Sequence, residues 1–336
     1  MAADRLLELT DAAVTRRSPG ARERTELVHA VTLSVGAGEV QGIVGETGAG
    51  KSLSMRALLG LLPPGLSSSG AMRLGGREID LATPGLRRRD LLGSELGIVP
   101  QNPAGMLDPV VRVGAQLVEG VVKRDLLGRE HANERAQELL RRVGFKDPER
   151  VVGLYPHQLS GGMSQRVGIA MALMPSPKVL VVDEPTSALD AQLRLDVLQL
   201  IRDLAKDTGT GVLLVSHDLG LVARFCDTVA VLYAGRIVEH GSAAAVMRAP
   251  RHPYAQALRQ VVPKLTARRR ELLPTIPGAP PAPGRWPSGC VFAPRCPLVE
   301  QICHEVEPPL AGPPDHPAAC HVANRAATAA VEEVAR

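Results

Sequence analysis

The sequence predicts an α/β protein built on a parallel β-sheet with crossover helices. Short apolar segments alternate with helical segments from Val179 to Leu232, which is typical of parallel strands joined by helices. A glycine-rich loop separates the apolar segment Val40–Val44 from a helix that starts at Lys51. Half of the 28 prolines lie between Pro263 and Pro317. Because proline is excluded from helix interiors, this last region predicts a small irregular extension.

The separate elements follow from apolar periodicity. Residues 5–44 predict short strands, residues 63–95 are rich in turns and charge, and residues 111–175 predict helices. In the last block the apolar residues recur every three or four positions on one helix face: Ala136, Leu139, Leu140 and Val143. The strands expected beyond it are Val179–Val182, Val212–Val215 and Thr228–Leu232, and the helices Ala191–Lys206 and Leu219–Phe225. We expect one main domain at 5–262, with an inserted helical subdomain at about 102–175, and an extension at 263–325.

Composition limits the classes of function. The chain has 336 residues, 45% of them apolar, and a net charge of +4, which is too small a bias to indicate nucleic acid. One Trp, three Tyr and three Phe provide few platforms for stacking bases. No apolar run approaches the ~20 residues of a membrane span. The first residues, Met1–Leu9, lack the apolar core of a signal peptide. We therefore expect a cytosolic protein that meets a membrane only through partners.

A phosphate-binding loop is the strongest local motif. The segment has the pattern G-x-x-x-x-G-K-S, with a buried strand before it and a helix after it. Its residues are Gly45, Glu46, Thr47, Gly48, Ala49, Gly50, Lys51 and Ser52. The glycines let backbone N–H groups face the phosphates at the positive end of a helix. Lys51 would reach the β- and γ-phosphates of ATP, and the Ser52 hydroxyl would bind Mg²⁺.

Two acids end an apolar strand. Asp183 and Glu184 directly follow Val179–Val182. Asp183 is predicted to hold Mg²⁺, and Glu184 to orient and polarise the attacking water.

The order of further motifs resembles the ATPases of ABC transporters over residues 5–260. Leu159–Arg166 resembles the signature motif, which in that family binds the ATP held by a partner ATPase. The resemblance implies that Ser160, Gly161, Gly162 and Gln165 lie at this nucleotide. It also implies that Gln101 is the glutamine that contacts Mg²⁺ or water and senses the membrane partner, that Ser187–Asp190 is the D-loop, and that His217 contacts the γ-phosphate. The fold implied is a P-loop NTPase of the ABC type, with an antiparallel β subdomain and a helical subdomain.

The adenine contact departs from the family pattern. The family places an aromatic residue in the N-terminal region, whereas our alignment puts Arg16 there. A guanidinium can stack on a base. The alternatives are a weak base contact or a shift of the segment by residues 17–24.

Further segments resemble the oligopeptide, dipeptide and nickel importer branch of that family. Among them are Tyr155–Gln158 before the signature motif, and Gly289–Pro297 in the extension. The last four of the five cysteines are spaced C-x5-C-x6-C-x16-C: Cys290, Cys296, Cys303 and Cys320. Tails of this branch hold a [4Fe-4S] cluster, so the extension is expected to bind metal. Zn²⁺, with His304, His316 or His321 as further ligands, and free thiols are the alternatives. Cys226 is expected in the core.

The resemblance implies an ATP-hydrolysing subunit of a peptide importer, with nickel or another solute as the open alternative. Its expected partners are a second, homologous ATPase that completes the nucleotide sites head to tail, two membrane permeases and an extracytoplasmic substrate-binding protein. The subunit would lie on the cytoplasmic face of the inner membrane. Two rival hypotheses are an ATPase of DNA repair or translation, and a redox sensor centred on the cysteines. The coiled-coil insert or second cassette of the first rival is not seen in the sequence, and no flavin or nicotinamide motif supports the second.

Overall fold

The computed structural model describes residues 5–17, 24–83, 90–185, 191–262 and 275–326. The expected D-loop at 187–190 lies outside these residues. The chain divides into two compact units. The first comprises Met1–Leu7, Val35–Val40 and Thr83–Leu214. The second comprises Glu8–Ser34, Gln41–Ala82 and Val215–Arg336. No helix among the described residues combines the length and apolarity that a membrane crossing requires.

The first unit contains buried strands and a block of helices. Strand β6 (Leu96–Val99) pairs in parallel with β7 (Val179–Asp183), and β8 (Gly211–Ser216) lies on the other side of β7. The helices are α2 (Val113–Lys123), α3 (Arg129–Arg142), α4 (Pro148–Gly153), α5 (Gly161–Leu173) and α6 (Ala191–Thr208). Ala136, Leu139, Leu140 and Val143 are all buried, so the predicted apolar face of α3 is confirmed.

The second unit contains the strand that leads into the phosphate-binding loop. Strand β3 (Val40–Val44) pairs in parallel with β9 (Thr228–Tyr233), and β10 (Arg236–Ser242) is antiparallel to β9. The predicted parallel sheet is thus extended by an antiparallel strand. Strand β10 follows β9 after a tight turn at Ala234–Gly235, where both residues have positive φ. The helices here are α1 (Lys51–Leu59), α7 (Leu219–Phe225), α8 (Ala243–Arg248), α9 (Pro253–Val261) and α10 (Ile302–Glu305).

A four-stranded sheet has the order β2-β1-β4-β5. Its strands are β1 (Arg5–Arg17), β2 (Arg24–Gly36), β4 (Leu66–Leu74) and β5 (Arg77–Asp80). Strands β1 and β2 have 13 residues each, longer than the short strands expected. Strands β4 and β5 lie where turns alone were expected. The two strands pair antiparallel from Ala71 opposite Asp80 to Leu74 opposite Arg77. The sequence did not predict β4 because Ser67–Ser69 contains none of the β-branched or aromatic residues that are enriched in strands.

Candidate functional site

The phosphate-binding loop connects the fully buried strand β3 to helix α1. Gly48 and Gly50 have φ of 86° and 100°, in the left-handed region that glycine adopts without strain. A Cβ at Gly45 would overlap the carbonyl oxygen of Leu232, so close packing also requires glycine there. Thr47 and Gly48 are exposed, and no side chain of the described residues caps α1 through Gly50. The exposed loop thus leads directly into the start of a helix, and the positive end of the helix dipole there favours an anion.

Lys51 lies under this loop. The side chain is buried, and its Nζ donates to the carbonyl oxygens of Gly45 at 2.8 Å and of Glu46 at 3.0 Å. The neighbouring Ser52 is half-buried at the helix start. Ala49 N–H donates to the Glu46 carbonyl at 3.1 Å, and the Ala49 carbonyl accepts from Gly235 N–H at 2.9 Å. A buried ammonium that carries a positive charge beside a glycine loop is well suited to bind an anion.

Glu46 is held by two residues to which the sequence assigned no role at the loop. Its backbone N–H donates to the Tyr254 hydroxyl at 2.8 Å. Its carboxylate accepts from both terminal nitrogens of Arg295, at 2.8 and 3.2 Å. Arg295 lies inside a segment noticed for its cysteines, but the sequence held no sign of an ion pair across 249 positions.

The carboxylate pair and Gln101 meet within the first unit. Asp183 ends β7 half-buried, and Glu184 follows at φ 45°. The Gln101 amide donates to the Glu184 carboxylate at 3.3 Å. A glutamate in the left-handed region is strained by roughly 1–3 kcal/mol, and such strain concentrates at functional positions. The structure therefore brings together the two residues predicted to handle water.

The signature-like segment opens helix α5. Ser160 is the N-cap, and its hydroxyl accepts from Met163 N–H at 3.3 Å. A Cβ at Gly161 would meet no described atom within 4 Å, whereas a Cβ at Gly162 would press on the Leu193 side chain. Gln165 is buried, and its Nε2 has no hydrogen-bond partner among the described residues. Ser160 and Gly161 are thus open to a ligand, while Gln165 points into the protein.

His217 and Arg16 are both exposed. His217 lies between β8 and α7, next to Asp218, whose carboxylate caps α7 by accepting from Leu221 N–H at 3.1 Å. Arg16 lies near the end of β1, and the adjacent Arg17 N–H donates to the Gly65 carbonyl at 3.3 Å. Cys226 is buried against Gly42, as expected for a core residue.

The four C-terminal cysteines, called the thiol group below, lie in the C-terminal extension and are largely buried. Cys290, Cys303 and Cys320 are buried, and Cys296 is half-buried. Cys290 N–H donates to the Cys303 carbonyl at 2.8 Å. Burial raises the pKa of Cys290 to about 11, against the opposing effect of a hydrogen bond with the Phe292 backbone and with smaller contributions from the charges of the other three cysteines. Burial also raises the pKa of Cys296. Within the described ranges, no three His, Cys, Asp or Glu side chains are grouped closely enough to hold a metal ion.

The C-terminal segment, residues 275–326, is attached to strand β10 through a buried carboxylate. Glu239 is fully buried and accepts from the N–H groups of Arg251 and His252, and it pairs with His316 Nε2 at 2.7 Å. Ala319 N–H donates to the Val238 carbonyl at 2.8 Å. Burial lowers the pKa of His252 to about 3, against a smaller opposing effect of its hydrogen bond to the Ala319 backbone.

Two family models match this chain. The model of ABC transporters matches residues 28–187, and that of the oligopeptide/dipeptide transporter C-terminal region matches residues 238–303. The oligopeptide transport ATP-binding protein OppD of Mycobacterium tuberculosis is 43% identical over 318 residues, which are 94% of this chain and 51% of that protein. The chain thus spans about half the length of the first curated relatives it matches.

Other relatives are matched nearly end to end. OppD of Salmonella typhimurium is 40% identical over 315 residues, covering 94% of this chain and 93% of that protein. The dipeptide transport ATP-binding protein DppD of Escherichia coli is 40% identical over 284 residues, covering 84% and 86%.

Solved structures agree on the fold. A dimeric ATP-binding cassette bound to ADP and Pi has a TM-score of 0.59 and 25% identity, covering 70% of this chain and 98% of that one. The cbiO1 subunit from Clostridium perfringens has a TM-score of 0.60 and 27% identity, covering 74% and 97%. Together with the phosphate loop, the signature segment and the cysteine-bearing extension, these matches show that the chain belongs to the ABC transporter ATP-binding proteins, in the oligopeptide/dipeptide transport family.

Proposed function

We propose that this chain is the ATP-hydrolysing subunit of a peptide importer. The observation that carries the proposal is the buried Lys51 ammonium beneath a glycine loop that opens α1. Relatives over most of the chain are named oligopeptide and dipeptide transport ATP-binding proteins, which supports peptides as the solute. Nickel or another small solute is the alternative, because this subunit need not contact the cargo.

The residues divide the work on one ATP. The loop N–H groups and Lys51 bind the phosphates, and Ser52, Asp183 and Gln101 hold Mg²⁺, directly or through water. Glu184 accepts the proton of the attacking water, and His217 contacts the γ-phosphate. Gln101 donates to the Glu184 carboxylate, so Mg²⁺ or water bound at Gln101 would compete with this hydrogen bond. Arg16 is proposed to stack on adenine, which an Arg16→Ala variant with weaker ATP affinity would support.

A second ATPase completes the site. Ser160 and the N–H groups of Gly161 and Gly162 open a helix toward solvent and can bind the γ-phosphate held by a partner subunit. Gln165 is buried and would act by supporting this helix start. The relative solved as a dimer with ADP and Pi favours such pairing. The partner ATPase is proposed to be homologous but distinct.

The catalytic assignment is tested by Glu184→Gln, with the exposed Glu138→Gln on α3 as the matched control. Glu184→Gln is expected to bind ATP as tightly as the wild type and to lose at least ~100-fold in turnover, because the general base is gone. Glu138→Gln should leave both unchanged. Turnover of Glu184→Gln near that of the wild type would exclude Glu184 as the base, and a wild type that binds no ATP would refute the ATPase function.

An apolar groove in the first unit supports docking to membrane permeases. It has a volume of about 240 Å³ and is lined by residues that include Gly97, Pro103, Met106 and Gly168. Met106 and Val110 are 52% and 79% exposed a few residues after Gln101. Exposed apolar side chains beside a groove mark an interaction site. The partners proposed are two permeases at the cytoplasmic face of the inner membrane, with an extracytoplasmic binding protein outside.

Met106→Glu tests the docking. The charge would have to be buried at the interface, so we expect loss of co-purification with the permeases while ATP binding by the separate chain is retained. Leu126→Glu is the control, because Leu126 is exposed on the same unit but does not line the groove. This variant should still co-purify with the permeases. Recovery of the permeases with Met106→Glu at the wild-type level would remove the groove from the interface.

The thiol group is proposed to hold a [4Fe-4S] cluster, with Zn²⁺ as the alternative. Four cysteines are the ligand set of such a cluster, which would supply structural order rather than redox chemistry here. Burial and mutual repulsion disfavour the thiolates, and a bound cationic core would relieve both effects. His316 and His321 direct Nε2 to Glu239 and to the Val306 carbonyl, which favours an all-cysteine ligand set. Iron, sulfide and zinc analysis of protein purified without oxygen decides between the two.

A further inference from the structure

The C-terminal segment reaches the phosphate-binding loop at its second residue. Arg295 donates from both terminal nitrogens to the Glu46 carboxylate, at 2.8 and 3.2 Å. The Arg295 side chain is only 4% exposed, and the Glu46 side chain is 25% exposed. A bidentate, largely buried arginine–carboxylate pair has a fixed geometry, unlike a pair on the open surface.

Arg295 is itself fixed by its surroundings. Its guanidinium lies over the rings of Tyr233 and Phe292, 5.8 and 5.9 Å from their centroids. It also donates to the carbonyl oxygens of Ile276 and Pro277 at 3.3 and 2.8 Å. All three guanidinium nitrogens of Arg295 therefore donate hydrogen bonds. The side chain cannot rotate away without leaving several buried polar groups unpaired.

The backbone of Glu46 belongs to the binding machinery. Its carbonyl oxygen accepts from the Lys51 ammonium and from Ala49 N–H, while its own N–H donates to the Tyr254 hydroxyl. Any movement of Glu46 would therefore displace Lys51 and the first turn of the loop. A cavity of about 150 Å³ lies beside the loop, between Glu46–Ala49 and Pro280–Pro283, so this side has space for such a movement.

Charge gives a second reason for the ion pair. The loop is proposed to receive the phosphates of ATP, and an unpaired Glu46 carboxylate beside them would repel the ligand. Arg295 neutralises that carboxylate through its bidentate ion pair. Arginine thus both fixes the loop and removes an opposing charge.

We propose that Arg295 is a positioning residue of the phosphate-binding loop, through which the C-terminal segment sets the affinity for ATP. This inference rests on the proposed nucleotide site. It assigns a role in nucleotide binding to a residue 249 positions away from the loop residue it contacts. Arg295 touches no phosphate itself and acts through Glu46.

The test compares ATP affinity in full-length variants, measured with a fluorescent ATP analogue. Arg295→Ala is expected to weaken binding about tenfold, the effect of losing one charge-assisted bidentate contact. Adding Glu46→Gln to Arg295→Ala should recover at least about threefold, since the unpaired charge is then removed. In ATPase assays of the assembled transporter, KM should rise while kcat stays within about twofold, the signature of altered nucleotide binding.

Arg236→Ala is the matched control. Arg236 also ties the core to the C-terminal segment, and among the described residues its side-chain hydrogen bonds go to Glu307, not to Glu46. It should therefore leave ATP affinity within about twofold of the wild type. If Arg236→Ala and Arg295→Ala lost ATP affinity equally, the cause would be a general weakening of the attachment of the C-terminal segment, and the proposal would be overturned.

Two further outcomes separate the hypotheses. Arg295→Ala with wild-type affinity overturns the positioning role but leaves the ATPase function standing, whereas a wild type without affinity for ATP removes the function itself. If Arg295→Ala does not fold, Arg295→Lys takes its place. Lysine keeps the charge but cannot form the bidentate contact, so we expect an affinity for ATP about threefold weaker than that of the wild type. Unchanged affinity for ATP would refute the positioning role.

Discussion

Burial of His252 makes the stability of this protein depend on pH. The imidazole is 1% exposed, accepts from Tyr254 N–H through Nδ1 at 3.0 Å, and lies 5.8 Å from the Phe292 ring. Burial lowers its pKa to about 3. The folded protein thus keeps His252 neutral, whereas the unfolded chain takes up a proton below pH ~6.5. The stabilisation is present above that pH and is lost as the pH falls toward 3.

The size of the effect follows from the two pKa values. With a pKa of about 3 when folded and about 6.5 when unfolded, the free energy of unfolding falls by about 2 kcal/mol between pH 8 and pH 5 from this group alone. The perturbation is His252→Asn. Asparagine keeps an acceptor at the N-cap of α9 but does not titrate.

The assay is urea unfolding of the full chain at pH 8 and pH 5. Wild type should lose about 2 kcal/mol more than His252→Asn over this interval, and the exposed His131→Asn should follow the wild type. The difference between variants removes the contribution of other titrating groups. Parallel pH dependence of wild type and His252→Asn would show that the imidazole is accessible to protons, contrary to its burial.

Three further variants follow from the contacts. Gly161→Ala should keep the unfolding midpoint, since its Cβ meets open space, yet lower the turnover of the assembled ATPase at least ~10-fold by blocking a ligand at the N–H groups; normal turnover would contradict the composite site. Glu239→Ala should cost about 3 kcal/mol in urea unfolding and expose residues 275–326 to limited proteolysis, because it strands buried donors; an unchanged digestion pattern would contradict this tether. Cys303→Ser should lower the iron bound per chain by more than about half, while Cys226→Ser should not, and equal iron in both would refute the ligand set.

The sequence could predict those parts of the site that are contiguous in the chain. The loop from Gly45 to Ser52 has its chemistry and its conformation in eight adjacent residues, flanked by a strand and a helix that are also local. The same holds for Ser160, whose role as N-cap depends on the next three residues. Local patterns of this kind need no knowledge of the rest of the fold.

Long-range contacts had no such signal. The hydrogen bond from Glu46 to Tyr254 spans 208 positions, and the ion pair between Arg295 and Glu46 spans 249. The left-handed φ of Glu184 could not be predicted from the sequence either. A residue that adopts this conformation at the end of a strand is recognisable in a sequence only when it is glycine. Strand β4 was missed because alternating burial, and not composition, defines it.

A buried ring cluster holds the extension next to the phosphate-binding loop, since Tyr254 in this cluster accepts a hydrogen bond from Glu46 N–H. Phe292 packs on Tyr233, Tyr254 and His252, with ring centroids 4.5 to 5.8 Å apart across the cluster. Phe292 could not leave this cluster without exposing its ring and those of both tyrosines to water.

Arg295 lies three residues after this anchor, and Cys296 follows it directly. The phosphate loop and the thiol group are therefore fixed to the same few residues. Because one short chain segment has to satisfy both, any change that disorders the thiol group should be visible in ATP affinity. Cys303→Ser, measured with the same fluorescent analogue as Arg295→Ala, extends the argument from one ion pair to the whole extension.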